Sequence, residues 1–378
     1  MPQRRVRWVT RARSTTVLNA MSSAPTPAER PVADQTPAPG VSVVVPVLNE
    51  ERHLRDAVDQ MLEQAYPGPL EVVLALGPSR DRTDAIAAEI SAADARVRLV
   101  ANPTGRTPAG LNAAIAAASY DVIVRVDGHA LVPDDYVAAA VETLGRTGAD
   151  NVGGIMAAEG ETPFEDAVAR AMTSRLGVGA AAFHVGGEEG PAPTVYLGVF
   201  RRAALERVGG YDESMVRAQD WEMNHRIIET GGLVWFTPRM RVTYRPRPNV
   251  RALGKQYFEY GRWRREVARR HPETLSGRYL AAPVAVLGVV LGTLAGLLSV
   301  GGPAWLALGW LGPVGYLALI LGGSVVVGRG LPVRAWLLLP VVLATMHMSW
   351  GMGFLTSPRR LAGADPAPPA VPPAAEGG

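Results

Sequence analysis

The chain has 378 residues, enough for one large domain or two ordinary ones, and no cysteine, so disulfides and thiolate metal sites are excluded and any metal must bind oxygen or imidazole. Its net charge of +3, from 38 Lys and Arg against 35 Asp and Glu, is too small to argue for nucleic acid, and no such partner is expected. A hydrophobic share of 48% against a charged share of 19% hides an asymmetry, because residues 279–356 carry only Arg329 and Arg334 as charges.

Residues 1–39 begin "MPQRRVRWVTRAR" and continue into Pro, Ala, Thr and Ser without periodicity. The apolar core of a secretory signal is missing, so a disordered basic arm is expected, or a true start at Met21. From Val41 onward strands and helices alternate. "VSVVVPV" is a β-branched run suited to a strand buried on both faces, and "EERHLRDAVDQMLEQA" places Leu54, Val58, Met61 and Leu62 on one helical stripe. "LEVVLAL", "RVRLVAN" and "YDVIVRVD" read as further strands; "RTDAIAAEISAA" and "PAGLNAAIAAAS" read as the helices between them. This alternation predicts an α/β domain with a parallel sheet, helices on both faces, and ligands beyond the carboxyl ends of the strands.

Three uncharged stretches follow, at about 279–300, 303–328 and 335–356, each long enough to cross a hydrocarbon core of about 30 Å. The segment before them, 256–278, holds the basic run "RWRREVARRH", and Arg329 with Arg334 flanks the second connection. Positive charge there predicts a cytoplasmic N-terminal domain on a cell membrane. Arg359 and Arg360 would then fall outside, a conflict that a re-entrant third segment removes. The tail, 357–378, is a low-complexity end, expected to be disordered.

Two places carry candidate chemistry. In "YDVIVRVDGHALVPDD" a strand delivers Asp127 and His129 to its end, two residues apart. They could hold a divalent ion, or be a polar strand end. In "AQDWEMNHRII", Asp220 opens a helix carrying Met223, Ile227 and Ile228, where Asp is also a favoured cap.

The motifs "VVVPVLNEERHL", "GPSRDRTD", "VRVDGHALVP", "VGGYDE", "QDWEMNHR" and "QYFEYGRW" occur in an order that resembles family 2 glycosyltransferases of the GT-A fold. The likeness is greatest to membrane-anchored bacterial enzymes of the succinoglycan glucosyltransferase type. It implies a Rossmann-like GT-A domain over 40–255 and a C-terminal membrane region over 279–356, joined by the interface segment 256–278. It further implies inverting transfer of a sugar from a nucleotide diphosphate sugar to an acceptor hydroxyl, in exopolysaccharide or cell-envelope glycan synthesis. A lipid-linked saccharide is the expected acceptor.

By the same resemblance, Asp127-Gly128-His129 stands where the family has Asp-x-Asp, so Asp127 and His129 are the expected ligands of Mn²⁺ or Mg²⁺. Imidazole suits Mn²⁺ better than Mg²⁺. Asp220 is the expected general base. Pro46, Asn49, Glu50, Asp81 and Asn112, with Asp127, are expected to bind the donor. UDP is the expected nucleotide, although Leu76-Gly77-Pro78 replaces the acidic residues the family often has before its serine. Glu222 and Arg226 match downstream positions as acceptor or diphosphate candidates, against a solvated helix face. Gln256, Arg262 and Trp263 resemble the family's Gln-x-x-Arg-Trp at a longer spacing; aromatic faces suit sugars, and the alternative is an amphipathic interface helix. The rival functions are direct transfer to polyprenyl phosphate, or an inactive membrane scaffold that binds nucleotide sugar.

Overall fold

The structure, a computed structural model, describes residues 37–359 and Leu361. The expected arm at 1–39 and tail at 357–378 therefore lie outside the described residues, save for 37–39, 357–359 and Leu361.

The first half runs β1 (Val41–Val47), α1 (Leu54–Leu62), β2 (Leu70–Leu76), α2 (Thr83–Ala93), β3 (Val97–Ala101), α3 (Thr107–Ala117), β4 (Val122–Arg125) and α4 (Tyr136–Thr147). The continuous apolar run of β1 is explained by two cores. Val41, Val43, Val45 and Val47 face one, packed under α1, α2 and α4, while Val44 faces another, under α3. β2 divides likewise, with Val72 and Leu74 on one side and Val73 and Ala75 on the other. Each such valine contributes about 1.5–3 kcal/mol by leaving water.

The chain continues through β5 (Asn151–Ala158), α5 (Pro163–Met172), α6 (Arg175–Val178), α7 (Ala182–Val185), β6 (Gly190–Pro191), β7 (Tyr196–Arg201), α8 (Arg202–Val208), α9 (Gln219–Glu229) and β8 (Val234–Tyr244). The eight-stranded sheet has the order β3-β2-β1-β4-β7-β5-β8-β6. β1 to β4 are mutually parallel, as expected, but β7 is antiparallel to both β4 and β5, and β6 is antiparallel to β8. The sheet is therefore mixed rather than parallel throughout. Between β5 and β7 the chain passes through α5, α6, α7 and β6 and returns along β5 in the opposite direction.

Chain order reverses between β1 and β4, which opens a crevice at their carboxyl ends. Pro46 fits there. β1 pairs with β4 only as far as Val44 with Arg125, so the missing N–H of Pro46 lies past the ladder.

The last part is α10 (Val250–Arg270), α11 (Ala281–Leu298), α12 (Leu311–Val327) and α13 (Val333–Thr356). Three helical segments, Gly277–Leu298, Ala304–Val327 and Val333–Thr356, are long and apolar enough to cross a membrane. These match the three uncharged stretches closely. α10 crosses α13 at near backbone contact: a Cβ on Gly261 would stand 2.0 Å from the Trp350 carbonyl oxygen, and one on Gly353 2.0 Å from that of Phe258.

Candidate active site

Two loops are laced together beyond β1. Asn49 takes a left-handed φ of 57°, which asparagine tolerates, and its Oδ1 accepts from the Arg80 amide at 2.8 Å. The amides of Asn49 and Glu50 donate to Ser79 Oγ at 3.1 Å and Thr83 Oγ1 at 2.7 Å. Asp81 accepts from the amides of Thr83 at 3.1 Å and Glu51 at 3.3 Å. Its slight burial would raise the carboxyl pKa, but the hydrogen bonds from Thr83 and Glu51 bring it below the ordinary range. The "SRDRT" residues thus shape the loop that carries Asn49 and Glu50. Asn112, on α3, clasps the loop after α8: its amide donates to Tyr211 O at 2.9 Å and Glu213 Oε1 at 3.0 Å, and accepts from the Tyr211 amide at 2.8 Å.

The centre of the crevice is an acid–arginine–acid array. Arg125, the last residue of β4, donates from Nη2 to Asp127 Oδ1 at 3.0 Å and forms an ion pair through Nη1 with Asp220 Oδ1. The guanidinium side chain is only 5% exposed, whereas each carboxylate keeps 26% of its side chain accessible, so the two acids still face the crevice. Burial works against the charge of Arg125, yet Asp220 first and Asp127 next hold it firmly protonated. Burial also lifts the Asp220 carboxyl above its ordinary value, with Arg125 pulling down and Asp127 adding to the rise.

Asp220 is the second residue of α9, and its carboxylate is turned to Arg125 instead of capping the helix. The N-cap is Ala218, in a left-handed conformation with φ 59° and no side-chain hydrogen bond. The non-glycine residues with positive φ are Asn49, Leu197 and Ala218 among the described residues, and all adjoin this crevice or its tyrosines. Strain of this kind collects at functional sites.

His129 stands across from Glu50, its Nδ1 2.8 Å from Glu50 Oε1, and this hydrogen bond raises the imidazole pKa. A carboxylate that holds one ring nitrogen leaves Nε2 directed elsewhere, the usual arrangement behind a metal-binding histidine. Asp127 has a second oxygen beyond the one given to Arg125. One carboxylate and one imidazole fit Mn²⁺, with substrate phosphates and water able to complete its shell. The histidines and carboxylates that converge to within 4.8 Å among the described residues lie elsewhere: His225, Glu229, His271 and Glu273, near the end of α9.

Other expected site residues are less open. Glu222 is buried and clamps Arg226 through two bonds of 2.6 and 2.8 Å, while Arg226 also donates to the carbonyls of Val208 and Gly210. The pair ties α9 to the end of α8; it is not a solvated face. Gln256 donates to the hydroxyls of Tyr244 at 2.7 Å and Tyr260 at 2.9 Å, and its own Oε1 is buried without a hydrogen bond among the described residues. Arg262 pairs with Glu259 at 2.8 Å.

Trp263 corrects an expectation. At 1% exposure it packs with Met215, Val267 and Leu361, which leaves no ring face for a sugar. Its successor Arg264 lies instead between the rings of Trp221 and Tyr279, at 4.7 and 3.8 Å.

Sequence reasoning missed Arg125 and the tyrosines around it. Tyr136, Tyr196 and Tyr211 are all buried deeply enough to raise their pKa values, and all feel the charges of Arg125 and Asp127. The signal for Arg125 was present: a lone cation inside the apolar run "VIVRV" must find an anion once buried.

The mixed sheet, with Asp127 and Asp220 at its switch point, has the GT-A fold. Residues 42–209 match the model of glycosyl transferase family 2. The succinoglycan biosynthesis protein ExoA of Rhizobium meliloti is 32% identical over 325 residues, 85% of this chain and 96% of that protein. Glycosyltransferase AglE of Haloferax volcanii is 26% identical over 230 residues, 58% of this chain and 71% of that one. A solved mannosyltransferase from Pyrobaculum calidifontis, in complex with GDP-Man and Mn²⁺, superposes with a TM-score of 0.54 at 20% identity, covering 84% of this chain and 88% of its own. The chain is a glycosyltransferase and belongs to family 2.

Proposed function

We propose that this enzyme transfers a sugar, with inversion, from a nucleotide diphosphate sugar to a lipid-linked saccharide during exopolysaccharide or cell-envelope glycan synthesis. The observation that carries the mechanism is Arg125 held between Asp127 and Asp220. The pathway reading rests on the likeness to the succinoglycan protein along nearly its whole length.

In this reading Asp220 accepts the proton of the attacking hydroxyl. Its pKa, raised by burial, makes it a better base than an ordinary aspartate, and the ion pair with Arg125 opposes that rise. Arg125 fixes the spacing of Asp127 and Asp220 and prevents their mutual repulsion. Asp127 and His129 are the residues that would hold Mn²⁺ or Mg²⁺, with Glu50 orienting His129. When bound, such an ion supplies positive charge against the growing charge of the leaving diphosphate. Pro46, Asn49 and Glu50 line the donor side, on a loop that Asp81 braces; Asn112 braces the opposite loop. Gln256, with Tyr244 and Tyr260, faces the acceptor. UDP is the proposed nucleotide.

The arginines of 262–271, with Arg329 and Arg334, support a catalytic domain on the cytoplasmic face. Purified enzyme given a panel of nucleotide sugars, divalent ions and a lipid extract should consume one donor. No turnover of any donor would support the scaffold reading instead.

A further inference from the structure

The third apolar segment differs from the other two in its surroundings. Buried positions make up 39% of its most apolar window, against 17% and 11% for the first and second. The covered face of α13 includes Leu339, Val342, Leu343 and Met346, packed against α5 and α10 of the catalytic domain. Its outer face presents Val333, Leu337, Val341 and Met352.

Polar contacts fix both ends of α13 to that same domain. Before the helix, Arg170 of α5 donates to the carbonyl oxygens of Val327 at 3.1 Å and Arg329 at 3.0 Å. After it, Arg269 of α10 donates to those of Ser357 at 2.7 Å and Pro358 at 2.6 Å. In the middle, His347 Nε2 donates to Leu176 O at 2.8 Å. A helix of 24 residues is about 36 Å long, more than the roughly 30 Å hydrocarbon core. Were α13 upright, Arg170 and Arg269 would stand at opposite faces of the bilayer, although α10 is itself fixed to the part that carries α5, through Arg270 with Asp212 and Trp263 with Met215. α10, with Lys255, Glu259, Arg262, Arg265 and Arg269, would be drawn into hydrocarbon alongside residues 345–358. Buried in lipid, those charges would be prohibitive.

We propose that α13 lies in the plane of the membrane surface, clamped to the catalytic domain on one face and set in lipid on the other. Arg334 and Arg359, at the two ends of α13, stand on the side of the catalytic domain, which removes the conflict posed by positive charge beyond a third span.

The absence of cysteine makes the test direct. Single cysteines are introduced at exposed positions, Arg334→Cys, Arg359→Cys and, as a catalytic-domain reference, Glu63→Cys, and full-length protein in sealed vesicles is treated with a membrane-impermeant maleimide. All three should react from the same side; reaction of 334 and 359 from opposite sides overturns the proposal. As an independent readout, a nitroxide on Val341→Cys should report a depth within about 5–10 Å of the headgroup boundary. A nitroxide at the bilayer centre would contradict it. Neither measurement depends on transferase activity, so failure here and failure of the functional reading remain distinct.

Discussion

Arg125 is the residue on which the proposed active centre turns. With the guanidinium gone, Asp127 and Asp220 would repel each other across a partly buried gap, so Arg125→Met should lower the thermal midpoint. Breaking a fully buried pair costs about 3–5 kcal/mol, and solvent access to both carboxylates puts this case at or below the lower end. The same substitution removes the charge that pulls the Asp220 pKa down. The acidic limb of the kcat–pH profile should therefore move to higher pH; an unmoved limb would mean that Asp220 is not the titrating base. Asp220→Asn should reduce kcat by about 10²–10⁴ while donor affinity persists, read by turnover and by equilibrium binding. A sequence names Asp127 and Asp220 through motif and resemblance, because each sits in a recognisable string. It does not show that an arginine two residues before Asp127 joins them, since that contact spans 95 positions.

At the scale of elements, the apolar runs of β1, β2 and β4 were readable because burial on both faces leaves no alternation to misjudge. β7 was not, because its reversal depends on the connection from β5 rather than on its own composition. "QYFEYGRW" misled in one respect: as helix α10 it turns Trp263 into an apolar cluster and leaves Gln256 beside tyrosines. Glycine explains how α10 and α13 approach so closely. Gly261→Val would drive a side chain into the Trp350 carbonyl, and overpacking of this kind should cost about 1–3 kcal/mol or more in detergent-solubilised protein. Gly145, in the interior of α4 with open space around it, is the contrast: Gly145→Ala should be neutral or stabilising by up to about 1 kcal/mol. Equal losses at both sites, measured by thermal unfolding, would contradict this view of the crossing.

The whole molecule joins a crevice at a sheet's switch point to three long apolar helical segments through α5 and the basic helix α10. Charge asymmetry alone made that division legible, since residues 279–356 carry two charges while the preceding part is rich in them. The way the apolar helices sit on the catalytic domain was not legible, because hydropathy measures length and composition and is blind to Arg170 and Arg269. We propose that Asp127 with His129 and Asp220 form one centre acting on a nucleotide diphosphate sugar. The most direct test is hydrolysis of a panel of such donors by full-length enzyme, with Mn²⁺, with Mg²⁺ and with chelator, beside Asp127→Asn and Asp220→Asn. Slow hydrolysis of one donor that needs the divalent ion and is lost in Asp127→Asn is expected, while Asp220→Asn still binds that donor. Hydrolysis that persists in chelator, or that Asp127→Asn leaves unchanged, would contradict it.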